Sequence, residues 1–278
     1  VIPHNRISHT EKEAQKVAQL VSTGQIQAGV QVAALEEKLG GRCVGSGTAA
    51  LTEILDGEYY LNIPAYSCYA IRRACERANV DFILYDEDPP PRIPILVIHT
   101  FGKRQRIPED RVVIEDLSHA PWYWKHPESY GFLSLGATKL LGGGEGGIIL
   151  DRFGERHPPV DDRITDLEAS LVLSRLTHFQ EDLIQRRFIA KRYCDALDLE
   201  IEPSGDHVYF RFTVEVADAQ ETVRRMKALG VWAEQPIEGS SSFPGASHKF
   251  KSIVSLPCYP SLRREEQDRV IEAFRECA

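Results

Sequence analysis

The chain has six cysteines but no C-x-x-C pair. Cys43, Cys68, Cys75, Cys194, Cys258 and Cys277 stand apart, none shares a metal-ligand spacing with any of the nine histidines, and no two histidines stand at i, i+4 on a helical stretch. A metal centre and a disulfide framework are therefore not expected. No secretory leader pattern opens the sequence, so the thiols are expected to be reduced and the location cytoplasmic. No apolar run approaches the roughly 18 residues of a membrane span, and 41 acidic against 33 basic residues, a formal charge of −8, leave no dense basic stripe for a phosphate backbone. Membrane and nucleic-acid partners drop out. There is no internal repeat and no low-complexity tract, and Pro89-Pro90-Pro91 reads as a rigid connector.

What remains is an ordinary globular composition. At 278 residues, 42% of them apolar, the chain exceeds what one small core needs, and a large domain with a smaller companion is expected. Thr10-Glu11-Lys12-Glu13 has the form of a capping box, with Ala14, Val17, Ala18 and Val21 following at helical spacing until Gly24. Val30, Ala33, Leu35 and Leu39 form a second helical pattern ending at Gly40-Gly41. Short apolar runs at 42–44, 59–62, 82–85, 95–99, 112–115 and 131–134 then alternate with helix-like stretches, which is the pattern of a parallel sheet in an α/β fold.

Residues 161–202 contain neither Gly nor Pro, and their leucines and aromatics sit near helical spacing. One or two long helices are predicted there. Beyond Pro203, Val208, Phe210, Phe212 and Val214 alternate as a strand does, with helices predicted near 217–229 and after Ser261. The expected organisation is a large domain over 1–160, connecting helices over 161–202, and a small α+β C-terminal domain over 203–278.

Two glycine patterns are decoys. Gly142 to Gly147 satisfies G-x-G-x-x-G on paper, but it leads into Ile148-Ile149-Leu150, a strand, where a dinucleotide site needs a helix. Gly131 and Gly136 have P-loop spacing, yet Ala137 stands where the phosphate-binding lysine must be.

The chemistry-bearing segments lie elsewhere. Ser46-Gly47-Thr48-Ala49-Ala50-Leu51 is a run of small residues where a strand gives way to a helix, a place where backbone N–H groups and the Thr48 hydroxyl can approach an anion. Val112-Val113-Ile114-Glu115-Asp116 is an apolar strand with acids at its carboxyl edge, and Asp116 can hold a pyridinium nitrogen protonated. Ser134-Leu135-Gly136-Ala137-Thr138-Lys139 puts a lysine on a short loop between apolar strands, where desolvation yields a neutral, nucleophilic amine. Each alone has an ordinary reading as a plain turn, a turn cap or a solvated lysine. Together, in this order, they fit pyridoxal 5'-phosphate.

With Ile63-Pro64-Ala65-Tyr66-Ser67-Cys68, Gly144-Glu145-Gly146-Gly147, Arg163-Ile164-Thr165-Asp166-Leu167-Glu168-Ala169 and Ser255-Leu256-Pro257-Cys258-Tyr259-Pro260, these segments run in order over nearly the whole chain. The sequence resembles the DegT/StrS-type sugar aminotransferases, pyridoxal-phosphate enzymes of the aspartate-aminotransferase fold. The resemblance implies a large domain with a mainly parallel sheet plus a small α+β domain. It implies Lys139 as the Schiff-base lysine, Asp116 as the partner of the pyridine nitrogen and His119 beside the cofactor hydroxyl, with Thr48, Ala49 and Ser134 holding the phosphate. Where relatives place an aromatic ring over the cofactor this chain has Cys68, one residue before Tyr69. Where relatives place an Asn that reaches the neighbouring subunit's phosphate it has Asp161.

The stretches between Asp86 and Ile95 and between Gly102 and Val112 are short where relatives carry helices, close to the minimum for a parallel crossover. The expectation is a homodimeric transaminase that moves an amino group from an amino acid, glutamate by resemblance, to a keto-sugar linked to a nucleotide. A pyridoxal-phosphate enzyme of another reaction type and a non-catalytic protein on the same fold stay open at this point.

Overall fold

The computed structural model describes residues 1–7, 10–86, 89–121, 129–150, 163–199, 205–239 and 241–278. The chain opens with α1 (Glu11–Thr23) and α2 (Val30–Leu39), followed by β1 (Arg42–Val44), α3 (Gly47–Ile54), β2 (Tyr60–Pro64), α4 (Tyr69–Ala78) and β3 (Asp81–Tyr85). Next come β4 (Ile95–Ile98), β5 (Val113–Asp116), β6 (Tyr130–Ser134) and β7 (Gly147–Leu150). These seven strands form one sheet in the order β1-β7-β6-β5-β4-β2-β3, parallel except for β7, which runs antiparallel to both neighbours. The predicted runs all appear within a residue or two of their expected bounds.

Both faces of the sheet are covered, so its strands are apolar on both sides. Leu61, Ile63, Ile114, Phe132 and Ile149 meet Leu51 and Leu55 of the α3 region and Ile71 of α4 on one face. On the other, Leu133, Ile148 and Leu150 meet Val32 and Leu35 of α2 and residues of the long helix α5 (Asp166–Leu197). The capping box predicted for α1 is present, with Glu13 accepting from the Thr10 N–H at 2.6 Å. Its predicted apolar face is not the buried one. Glu13 and Leu20 are the buried residues, while Val21 is 57% exposed, because α1 packs on α5 through the Leu20 side.

The connecting segment is one helix of 32 residues, roughly 48 Å long at 1.5 Å per residue. It serves two cores. Val172, Phe179 and Leu183 pack under the large sheet, whereas Ile189, Ala190 and Tyr193 pack into a second core. That second core encloses a two-stranded antiparallel sheet, β8 (Phe212–Glu215) with β9 (Ile253–Leu256), covered by α6 (Ala219–Ala228) and α8 (Arg264–Cys277). A further helix not expected from the pattern, α7 (Pro244–Ser252), leads directly into β9. The N-terminal residues join this unit, since Ile2 is buried in its core and bridges Val231.

The strand predicted to begin at Val208 begins at Phe212 instead. Tyr209 has φ 51°, which breaks the extended run, and the carbonyls of Tyr209 and Phe210 accept from Arg186 Nη1 at 3.2 Å rather than from a neighbouring strand. Arg186 lies on α5 between its two packing stretches, is buried, and donates to the Cys258 carbonyl as well. Hydrogen bonds from a charged donor are the stronger kind, and a buried acceptor left unmet costs on the order of 1–3 kcal/mol. Arg186→Met should therefore lower stability by about 3 kcal/mol in urea denaturation with an unchanged slope; a loss below about 1 kcal/mol would show that the clamp is not structural.

Two half-buried histidines make the fold acid-sensitive. His4 lies 2.9 Å from Ser255 Oγ and 3.2 Å from Glu234, and burial together with the Arg211 charge lowers its pKa to about 4. His207 accepts from the Tyr209 N–H at 2.9 Å, stacks on that ring, and is likewise lowered to about 4, chiefly by burial. The unfolded chain protonates both near 6.5, whereas the native state stays neutral until about 4. Their neutral forms thus support the fold fully above pH 6.5, and that support drains away as pH falls toward 4, by about 3 kcal/mol for each histidine. Replacing both with Gln should flatten the pH dependence of the denaturation midpoint over this window; an unchanged slope would rule out their contribution.

Candidate active site

In open α/β sheets ligands sit beyond the carboxyl ends of the strands. Here a cavity of about 410 Å³ lies at that edge, lined by the start of α3, the segment 66–71, Asp116, Ser118, His119, Ser134 and Lys139, with Arg211, Pro236 and Ile237 contributed from beyond α5. The register explains the convergence. Ile98, Asp116 and Phe132 are paired across β4, β5 and β6, and all three reach the cavity.

One end of the cavity is suited to an anion. Ser46 caps α3 by accepting the Ala49 N–H at 3.0 Å, and Gly47 presses so closely on β6 that a Cβ would stand 2.8 Å from Ser134 Cβ. The helix N-terminus thereby sits against the Ser134 hydroxyl, with Thr48 beside it in the cavity wall, a place where the helix dipole favours negative charge. Ala49 does not line the cavity, and its N–H is spent on the Ser46 cap.

The other groups are titratable. Asp116 is 8% exposed, and its Oδ1 accepts from the Ser118 N–H at 2.9 Å. Oδ2 has no hydrogen-bond partner among the described residues. Lys139 Nζ lies 3.1 Å from His119 Nε2 and 5.3 Å from the Phe210 ring centroid. The His119 ring is stacked on Phe210 at 4.2 Å, and its Nδ1 is 3.2 Å from the Phe101 N–H.

A backbone N–H can only donate, so Nδ1 is the acceptor and the ring proton of neutral His119 is on Nε2, pointing at Lys139. That proton needs a lone pair. Lys139 offers one only as the neutral amine, and burial lowers its pKa, with the Arg211 charge adding to the effect while Asp116 and Cys68 oppose it. His119 is lowered well below its usual value by burial and then by Lys139, so it stays neutral too. The pair sets an amine whose pKa is lowered toward its nucleophilic form beside a neutral imidazole.

Of the residues singled out in the sequence, Thr48, Cys68, Asp116, His119, Ser134 and Lys139 are brought together around this cavity. Tyr69 is not; as the first residue of α4 it is 68% exposed and lies outside the lining. Asp161 falls outside the described residues. Among the lining or flanking residues given no role in the sequence are Tyr66, Ser67, Phe210 and Arg211. Tyr66 and Ser67 belong to the segment 63–68 noted for its resemblance, and their hydroxyl oxygens are buried without a hydrogen-bond partner. For Phe210 and Arg211 the alternating pattern gave no signal, since both read as positions in a strand.

Comparison with known proteins bears on the fold. No protein-family model matches the chain. In sequence it is 30% identical over 146 residues to a dTDP-3-amino-3,4,6-trideoxy-alpha-D-glucose transaminase of Micromonospora megalomicea subsp. nigra, a match covering 44% of this chain and 39% of that protein. In structure it superposes on a DegT DnrJ EryC1 StrS aminotransferase from Brucella abortus with a TM-score of 0.78 at 17% identity, over 95% of each chain. The chain is similar in part of its sequence, and in its fold, to DegT/StrS-type sugar aminotransferases. It also superposes on the PLP form of Spr1654 from Streptococcus pneumoniae, with a TM-score of 0.84 at 18% identity, over 99% of this chain and 98% of that one. The large, mainly parallel sheet and small α+β unit are therefore the fold of these pyridoxal-phosphate aminotransferases.

The Lys139–His119 pair predicts a reactivity in the cofactor-free protein. Competitive labelling with acetic anhydride followed by peptide mapping should give Lys139 an apparent pKa below the 10.5 of a free lysine. His119→Gln, whose amide oxygen can accept from an ammonium, should raise it again. A Lys139 titration matching that of the surface lysines would remove the basis for a neutral amine.

Proposed function

We propose that the chain is a pyridoxal-phosphate-dependent aminotransferase that takes an amino group from an amino acid, glutamate in the first instance, and places it on a nucleotide-linked keto-sugar. The carrying observation is Lys139, its pKa lowered by burial and its Nζ 3.1 Å from His119, in the same cavity as a helix N-terminus and a carboxylate with one oxygen that has no partner among the described residues. A scaffold has no use for that combination. The sugar transaminase named above, as a relative in sequence, supports the substrate class.

The residues fit the cofactor on their own chemistry. Gly47, Thr48 and Ser134 offer an anion cradle that a side chain at position 47 would fill, suited to a phosphate. Asp116 Oδ2 would accept from a protonated pyridine nitrogen. When bound, the cofactor supplies an electron sink for the pair left behind as a proton departs from the carbon beside the amine. Lys139 Nζ, its pKa lowered by burial, would take that proton and return it, while the stacked His119 fixes the amine's direction through Nε2–H. Phe210 and His119 exclude water from one side of Nζ. Cys68 stands in the cavity wall, and where relatives are expected to stack a ring a smaller side chain would line the cofactor here. A homodimer completes the reading, as the resemblance of 163–169 to a segment reaching a neighbour's site implies.

Borohydride reduction of the cofactor-loaded protein followed by peptide mapping should place the adduct on Lys139. Asp116→Asn should keep the cofactor yet slow the half-reaction with L-glutamate by about a hundredfold, because a neutral amide cannot stabilise the ring's positive charge. An adduct on another lysine, or parental speed in the Asn variant, would overturn the assignment.

A further inference from the structure

A second cavity, of about 480 Å³, adjoins the first and has no part in the chemistry described above. It lies where the connections around β4 are short, so that among the described residues no α-helix crosses from β3 to β4 or from Gly102 to β5. We propose that this cavity is a second binding site, for an aromatic phosphate monoester, and that its occupant bears on the Lys139–His119 pair through Phe101. The site would exist whichever reaction the first cavity performs.

The walls suit a flat apolar body. Successive side chains of a strand point to opposite faces, so Ile95 and Val97 share one face of β4, and with Tyr85 they line the cavity where a helix would otherwise cover them. Tyr66 and Phe101 add two more rings, set edge to face with centroids 6.3 Å apart. A mostly apolar lining with a few polar groups is the usual form of a small-molecule site of this size. The Tyr85 hydroxyl is spent on the Leu96 carbonyl at 3.4 Å, whereas that of Tyr66 is buried without a hydrogen-bond partner.

The charges favour an anion. Asp86 is the acid of the described lining, and it is already engaged: its Oδ2 accepts from the Gly245 N–H at 2.6 Å, at the start of α7, where the helix dipole stabilises it. Arg106 from the loop before β5 and Lys249 from α7 are the cations of that lining, one from each unit. Neither has a hydrogen bond or ion pair among the described residues, and Lys249 Nζ lies 5.9 Å from the Tyr66 ring centroid. In a chain of formal charge −8 this leaves a locally positive cavity. A phosphate monoester carries about two negative charges at neutral pH, matching the two cations, and a guanidinium fork can take two of its oxygens.

Phe101 ties this cavity to the first. Its ring lines the second cavity, while its N–H donates to His119 Nδ1 at 3.2 Å and its carbonyl accepts from the Arg211 N–H at 3.3 Å. At φ 59° it holds a conformation that a residue with a side chain seldom takes. A group pressed against the ring therefore acts on a strained backbone, and through it on the proton that His119 directs at Lys139. Tyr66, Ile98 and Thr100 line both cavities, so the two sites share a wall.

Phenyl phosphate is the probe. Its binding is measured by calorimetry on the parent, Arg106→Gln, Lys249→Gln and Thr48→Val, beside phenol and inorganic phosphate on the parent. Arg106 and Lys249 are exposed, so their variants should fold, and Thr48→Val alters the anion end of the first cavity instead. The expected result is a loss of affinity of about tenfold in each Gln variant and none in Thr48→Val, with phenol and inorganic phosphate each at least about tenfold weaker than phenyl phosphate. Phenyl phosphate at saturation should also raise the apparent pKa of Lys139, read by competitive acetylation, by about 0.5 in the parent, and the same concentration should leave it unmoved in Arg106→Gln. A loss confined to Thr48→Val would put phenyl phosphate in the first cavity and overturn the proposal. Equal affinity across the four proteins, no binding by the parent, or an unmoved Lys139 in the parent would overturn it as well.

Discussion

A buried guanidinium with carbonyl oxygens as its acceptors holds the two halves of this molecule in relation to each other. Arg186 projects from the middle of α5, between the stretch that packs under the seven-stranded sheet and the stretch that packs into the small core. Burying a charge is costly unless its hydrogen bonds are met. Here Nη1 meets the carbonyls of Tyr209, Phe210 and Cys258, while Nε has no partner among the described residues, and the segment entering β8 is turned at Tyr209 instead of running as an ordinary strand. That turn delivers Phe210 against Lys139 and Arg211 to the cavity.

The amine chemistry depends on this apposition. On the large sheet alone, Lys139 would sit on a loop open to water, and a solvated lysine stays protonated. Phe210 covers it from the other unit while stacking on His119, whose tautomer is set by the Phe101 N–H. Phe101 itself has φ 59°, an unfavourable conformation for a side-chain-bearing residue. Its N–H serves His119 and its carbonyl serves the Arg211 N–H, so one strained residue orients groups on both sides of the cavity, in keeping with the way strain collects at functional sites.

The short connections have a visible consequence for the fold. Between β3 and β4, and between Gly102 and β5, the described residues form no α-helix. That part of the sheet is instead covered by a small cluster of Ile95, Val97 and Val113 with Tyr85 and Ile107. A second cavity of about 480 Å³ lies there, sharing Tyr66, Ile98 and Thr100 with the first but holding no nucleophile or acid–base pair beyond surface charges. Trimming this edge leaves the residues at the ends of β5 and β6 in place, because their register is set by the strands and not by the missing cover.

The strands of the large sheet, the capping box at Thr10–Glu13 and the order of Ser46, Asp116, Ser134 and Lys139 could be read from the sequence, because each is a local property: an apolar run, a cap spacing or a short loop. The single length of α5 was only partly legible, since an unbroken run without Gly or Pro permits one helix or two. Tertiary structure decided what is buried on α1, where Glu13 and Leu20 won over Val17 and Val21. It also decided that Tyr69 faces outward while Cys68 faces the cavity, a difference of one residue at a helix start that no periodicity resolves. The largest gap is Phe210 and Arg211. Their neighbours in space, Lys139 and Arg186, are 71 and 24 positions away from Phe210 and Arg186 is bonded to a backbone carbonyl, so nothing in the local pattern marks them. The sequence by itself determined which groups the chain carries to the sheet edge; the packing of the second unit decided which of them lose their water, and with it which amine has its pKa lowered.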